Sequence, residues 1–130
     1  MTDRQALFQY RLGEAEETPA DAKTMLANAV SGRAVVNRAY YAIFYAVIAL
    51  LIAREIEYKT SKHSGIISVF DREIVHAGLL GRDFSRVLHR AFEARQESDY
   101  KEFVVVTGAD AAESVRQAEY LVSGVKALIG

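Results

Sequence analysis

The stretch 34-AVVNRAYYAIFYAVIALLIA-53 decides how the whole chain is read. Its only side chains that are neither apolar nor aromatic are Asn37 and Arg38. A membrane-spanning helix needs roughly twenty apolar residues, with charges kept to the ends. After Arg38 the uncharged run goes only from Ala39 to Ala53, fifteen residues, and it carries the hydroxyls of Tyr40, Tyr41 and Tyr45. Such hydroxyls are costly in lipid without partners. A helix that is apolar nearly all round is otherwise the buried centre of a bundle. The expectation is therefore a central helix from about residue 33 to residue 55, with no membrane association.

The segments on either side read as further helices. Asp3 to about Glu17 is a first helix, with Ala6, Leu7, Tyr10 and Glu14 on one side. In TPAD, Thr18 suits an N-cap, Pro19 the first helical position and Asp21 the first turn, so the chain is expected to restart or kink there. The continuation to about Val30 has Ala22, Met25, Leu26 and Ala29 as its stripe, and Ser31-Gly32 breaks it. After the central helix comes a polar connection, IEYKTSKHSG. Ser61 or Ser64 is the expected cap of a helix to about His76, with Ile66, Ile67, Phe70 and Ile74 inward. AGLLG breaks the chain again before a helix from about Arg82 to Glu97. FVVVT is extended or a short linker. Thr107 then caps a last helix to about Ile129, with Val115, Ala118, Val122, Val125 and Ile129 facing in. The fold class is all-α, an up-and-down bundle of five or six helices, and residues 1–130 form a single domain.

Composition narrows the function. Hydrophobic residues at 51% and charged residues at 25% fit a globular chain and argue against dominant disorder. The formal charge of −1 leaves no global basic excess, so any nucleic-acid contact must use a local patch or a groove between subunits. With no cysteine, disulfides, thiolate metal sites and cysteine nucleophiles are excluded. The charged N-terminus lacks the apolar core of a signal peptide, so a cytoplasmic location is expected.

The helix 82-RDFSRVLHRAFEARQESDY-100 breaks its own pattern. Phe84, Val87, Leu88, Ala91 and Phe92 form its apolar stripe, and the next member is Arg95, about 20° from Phe84 around the axis. A guanidinium aimed inward must be paired. Asp99 and Tyr100 follow within reach. The central helix carries a matching polar strip, Asn37, Arg38 and Tyr41. The six are expected to meet across the bundle. They either fix helix register or hold a phosphate or nucleotide, since arginine presents a fork suited to phosphate.

Two other groups carry chemistry. Arg82, Arg86, His89 and Glu93 lie on the opposite face of the same helix and, together with Arg90, make it a basic surface. It is either a solvated face or an RNA-facing edge, where Arg82 and His89 are the candidate catalytic pair. Lys59, Lys62 and His63 lie near a helix N-terminus and are candidate anion contacts, or simply a polar loop. His63, His76 and His89 lack metal-ligand spacing, so no metal and no cofactor are expected.

NRAYYAIFYA, KTSKHSGIISVF and RAFEARQESDYKEF, in that order, resemble the prokaryotic HEPN-domain family, and the resemblance covers about Ala20 to Leu128. It implies a helical bundle, usually dimeric. Many members are ribonucleases, often the toxin of a toxin–antitoxin pair beside a minimal nucleotidyltransferase. Their activity lies with an arginine, four to six intervening residues and then a histidine, brought together at a dimer interface. Arg82 and His89 stand at the outer limit of that spacing, and no histidine follows Arg95. The resemblance therefore implies a non-catalytic dimeric module that binds a nucleotide, RNA or a nucleotidyltransferase in a toxin–antitoxin-like or stress and defence setting. Its subgroup signature is Asn37, Arg38, Arg95, Asp99 and Tyr100. The alternatives are a metal-independent endoribonuclease toxin using Arg82 and His89, and a purely structural homodimer.

Overall fold

The computed structural model describes residues 3–27, 31–60, 62–100 and 106–130. Five α-helices run in order: α1 (Asp3–Ala27), α2 (Gly32–Ala53), α3 (His63–Phe70), α4 (Arg82–Tyr100) and α5 (Gly108–Ile129). A π-helical segment, Asp71–Val75, continues α3. No strand occurs among the described residues, and the fold is an all-α bundle.

α2 is the axis of this bundle. It packs against α1 most extensively, then α5, then α4. Ala39, Ala42, Ala46 and Ala49 let neighbouring backbones approach, while Ile43, Val47, Leu50 and Leu51 fill the space between them. By length and composition α2 could cross a membrane, but 67% of its most apolar window is buried inside the bundle. α2 ends in two reverse hydrogen bonds, Glu55 N to Ile52 O and Ile56 N to Leu51 O, both 3.0 Å. This is a Schellman stop, with Glu55 in the left-handed position at φ 57°.

α1 corrects the expectation of two helices. It runs unbroken through Pro19. Thr18 is no N-cap: it is buried, and its hydroxyl donates to the Glu14 carbonyl at 2.5 Å. Ala15 and Ala22 are buried on either side of it, so packing holds a helix that local propensity would interrupt. Ala6, Leu7 and Tyr10, read as one side of this helix, are exposed, Leu7 at 47% and Tyr10 at 62%. The side chains of Met25 and Leu26 lie outside what is described, as does Ala29.

α3 begins at His63, two residues before Gly65. Lys62 holds the N-cap position without a side-chain bond, and Ser64 lies inside the first turn rather than capping it. Ser61 is outside the described residues. Ile66, Ile67, Phe70 and Ile74 are buried as their spacing implies. The π turn brings His76 N onto Asp71 O at 2.8 Å, and Gly78, at φ 81°, ends the segment. α4 then packs through Phe84, Val87 and Leu88. Truncating the fully buried Leu88 to alanine would cost about 2–5 kcal/mol.

α5 starts as its sequence says. Thr107 Oγ1 accepts from Asp110 N at 3.0 Å, and Asp110 Oδ2 accepts from Thr107 N at 3.2 Å, a reciprocal capping box. Val115, Ala118, Val122 and Val125 are buried; Leu121 joins them, and Ile129 is half-buried.

Candidate functional site

The inward arginine of α4 reaches the central helix. Arg95 donates Nε–H to Asn37 Oδ1 at 3.0 Å and a terminal N–H to the Tyr41 hydroxyl at 3.2 Å. Its guanidinium carbon lies 5.3 Å from the centre of the Tyr40 ring and 5.2 Å from that of Tyr41. Helical spacing explains the meeting. Asn37 and Tyr41 are one turn apart on α2, and both are half-buried on the side that α4 approaches.

α3 supplies a residue that its local sequence does not assign here. His63 turns inward and stacks on Phe44, with ring centres 4.0 Å apart. Its Nδ1 lies 2.7 Å from the Tyr40 hydroxyl. Tyr40 is almost wholly buried, at 1% exposure, and this nitrogen is its hydroxyl's one partner among the described residues. In the neutral tautomer with its proton on Nε2, Nδ1 accepts from this hydroxyl. Nε2 has no hydrogen bond among the described residues, and the His63 side chain is half-buried. Burial, and then the Arg95 charge, lower the His63 pKa below 6.5 and favour the same neutral form. Burial raises the Tyr40 pKa, against the smaller pull of Arg95.

Gly65 lets this happen. The loop folds back so that Lys62 N donates to Thr60 Oγ1 at 3.1 Å. A Cβ on Gly65 would stand 2.6 Å from Thr60 Cγ2 and 2.9 Å from its Cβ. Only a residue without a side chain fits there, two positions after His63.

The expected cluster is thus partly redrawn. Asn37, Tyr41 and Arg95 come together. Arg38 does not join them: it is exposed, because it sits 100° further round α2 than Asn37. The side chains of Asp99 and Tyr100 lie outside what is described. The Lys59, Lys62 and His63 group is divided. Both lysines are exposed while His63 goes inward. Tyr40 and His63 are the members that sequence spacing missed. Tyr40 lies one position off the polar strip, and His63 is 23 residues from it along the chain.

Arg82 and His89 stand two turns apart on α4, about 10.5 Å along the axis within one chain. Both are exposed. His89 Nε2 is 2.5 Å from Asp71 Oδ2, and Ser85 donates to Asp71 Oδ1 at 2.7 Å. The π segment that carries Asp71 is thereby tied to α4. No group of three or more histidine, aspartate or glutamate side chains able to hold a metal occurs among the described residues.

The HEPN domain model matches residues 8–128. The chain belongs to the HEPN-domain family. A HEPN relative, the UPF0332 protein of Thermotoga maritima, is 36% identical over 129 residues, 99% of this chain and 96% of its own. Two candidate toxins of Methanocaldococcus jannaschii are each 32% identical. One alignment covers 85% of this chain and 69% of the relative, the other 86% and 81%. The Arg95 cluster and the Asp71–His89 contact both lie inside the HEPN match.

Proposed function

We propose that this HEPN module acts in a toxin–antitoxin-like system as a homodimer that binds, without cleaving, the phosphate of a nucleotide or of RNA. The site is Arg95 with His63. The observation that carries this reading is the placement of His63 beside the Arg95 guanidinium, with its Nδ1 2.7 Å from the buried Tyr40 hydroxyl. An imidazole N–H beside a guanidinium is a combination suited to phosphate oxygens. A ring whose Nδ1 already accepts and whose Nε2 already holds a proton is poorly placed to serve as a general base. The names of the two Methanocaldococcus relatives fit the toxin–antitoxin setting, and a minimal nucleotidyltransferase is the partner this reading implies.

The dimer is supported by an apolar patch next to the site. Tyr41, Tyr45, Ile48 and Ile52 form a half-exposed stripe on α2. Arg11 lies over both Tyr10 and Tyr45, at 5.6 and 5.9 Å, so exposed Tyr10 borders that stripe. A second copy would cover it. Light scattering should show a dimer for wild type and a monomer for Ile48→Glu; a monomeric wild type removes this part.

Binding is tested by NMR titration with AMP and with a 5′-phosphorylated single-stranded oligoribonucleotide. Wild type should show saturable shifts at His63 and Arg95. His63→Ala should bind about tenfold more weakly, the scale of one charge-assisted hydrogen bond. Absence of saturable shifts with either ligand rejects the reading.

The contact between Asp71 and His89 favours a second reading, a metal-independent endoribonuclease in which Arg82 of one copy works with His89 of another. RNA incubated in EDTA with wild type and with His89→Ala separates the two. Cleavage by wild type alone establishes the nuclease; equal cleavage, or none, removes His89 from catalysis.

A further inference from the structure

A separate cavity of about 160 Å³ opens between α2, α4 and α5. Its floor is apolar: Val36, Ala39, Ile43, Val87 and Ala91, with Tyr40 as one wall. A cavity of ~150 Å³ lined by apolar side chains holds one benzene ring. Its mouth is polar and contains Arg90, Glu113, Ser114 and Gln117. It continues into a shallower groove, shared at Val87, Arg90 and Gln117, that reaches Arg86, Asp83 and Tyr120.

The charges at this mouth are unequally engaged. Glu113 Oε2 accepts from Arg116 at 2.7 Å and its Oε1 from Gln117 at 2.7 Å. Asp83 accepts the Tyr120 hydroxyl. Arg86 and Arg90 are both exposed, one turn apart on the same ridge, and neither has a hydrogen bond or ion pair among the described residues. The two carboxylates are occupied and the two guanidinium groups are not. The mouth therefore favours an anion directly above an apolar slot.

We infer that this pocket binds a small ligand made of one aromatic or heteroaromatic ring bearing a carboxylate or phosphate. The ring enters between Ala39, Ile43 and Ala91, and the anionic group pairs with Arg90, with Arg86 one turn away. Small side chains make the slot: Ala39, Ala91 and Ala94 leave the space that a leucine at any of them would take. The pocket shares Tyr40 with the phosphate site proposed above but uses different charged groups. Arg95 and His63 do not line it.

The test is an NMR titration of the full chain with benzoate and with phenyl phosphate. Benzyl alcohol is the uncharged ring, and inorganic phosphate the anion without a ring. The inference expects saturable shifts at the amides of Ala39, Ala91 and Ser114 with both anionic rings. Benzyl alcohol and inorganic phosphate should bind at least about tenfold more weakly at those amides. Arg90→Gln, a change on an exposed face, should weaken benzoate by a similar factor, and Ala91→Leu should abolish its binding. No saturable shift at these amides, or equal affinity in Arg90→Gln or Ala91→Leu, overturns the pocket assignment. Equal affinity for benzyl alcohol and benzoate overturns the anionic one. Phenyl phosphate tighter than benzoate indicates a phosphorylated ligand, and the reverse order a carboxylate; both keep the inference.

Discussion

Arg95 on α4 donates its Nε–H to the side-chain oxygen of Asn37 on α2, at 3.0 Å and across 58 residues of chain. This bond ties α4 to the central helix. It also orients the guanidinium over two tyrosine rings and beside a histidine from a third helix.

Arg95→Ala should lower unfolding free energy by about 2–3 kcal/mol, the cost of removing a charged donor from half-buried acceptors. Asn37→Ala should cost about 1–2 kcal/mol on the same basis. Urea melts measure both. A loss below about 0.5 kcal/mol for Arg95→Ala would show that the cluster is not what fixes α4 against α2.

His63 should titrate below 6.5 in the folded protein, chiefly through burial and secondly through Arg95. A depressed histidine pKa means the unfolded chain takes up its proton first as pH falls. The contribution of His63 to stability is then complete above about 6.5 and is lost as pH drops through the folded-state value. NMR titration of the ring in wild type and Arg95→Gln checks it. The variant should move the pKa upward, and a value at or above 6.5 in wild type would contradict the geometry.

Gly65→Ala should displace the start of α3, because the new methyl meets Thr60 rather than solvent. Overlap of this kind costs about 1–3 kcal/mol. The displacement should release His63 from Phe44 and Tyr40, and so raise its pKa towards the ordinary value. The double variant Gly65→Ala, Thr60→Ala removes the Thr60 Oγ1 and Cγ2 contacts and should recover part of the loss in thermal melts.

Asp71→Ala should destabilise by about 1–2 kcal/mol, since it frees both Ser85 and His89. Ser85→Ala alone should cost about 1 kcal/mol. His89 is exposed, so its share is small. Equal stability of Asp71→Ala and wild type would mean that the π segment needs no side-chain tie to α4.

Much of the fold was legible because helical periodicity is a local property. The apolar run of α2, the stripe of α4 and the Thr107 cap each declare themselves within a few residues. The same periodicity singled out Arg95, a charge on an otherwise apolar stripe. It failed at TPAD, where burial of Ala15, Thr18 and Ala22 keeps α1 continuous through Pro19. Local capping rules describe a helix end in water, and this segment is instead packed against a neighbour.

The sequence by itself determined an all-α bundle, its central helix and the inward arginine that needed partners. Only the tertiary structure decided which partners those are. Whether Asn37 or its neighbour Arg38 faces α4 depends on where the other helices sit around α2, and a 100° step separates bonding from exposure. His63 reads as a loop residue until α3 folds back and lays its ring on Phe44. That placement is set by packing on Tyr40 and Phe44 of another helix, which no short window of sequence contains, and is permitted locally by the close approach of Gly65 to Thr60.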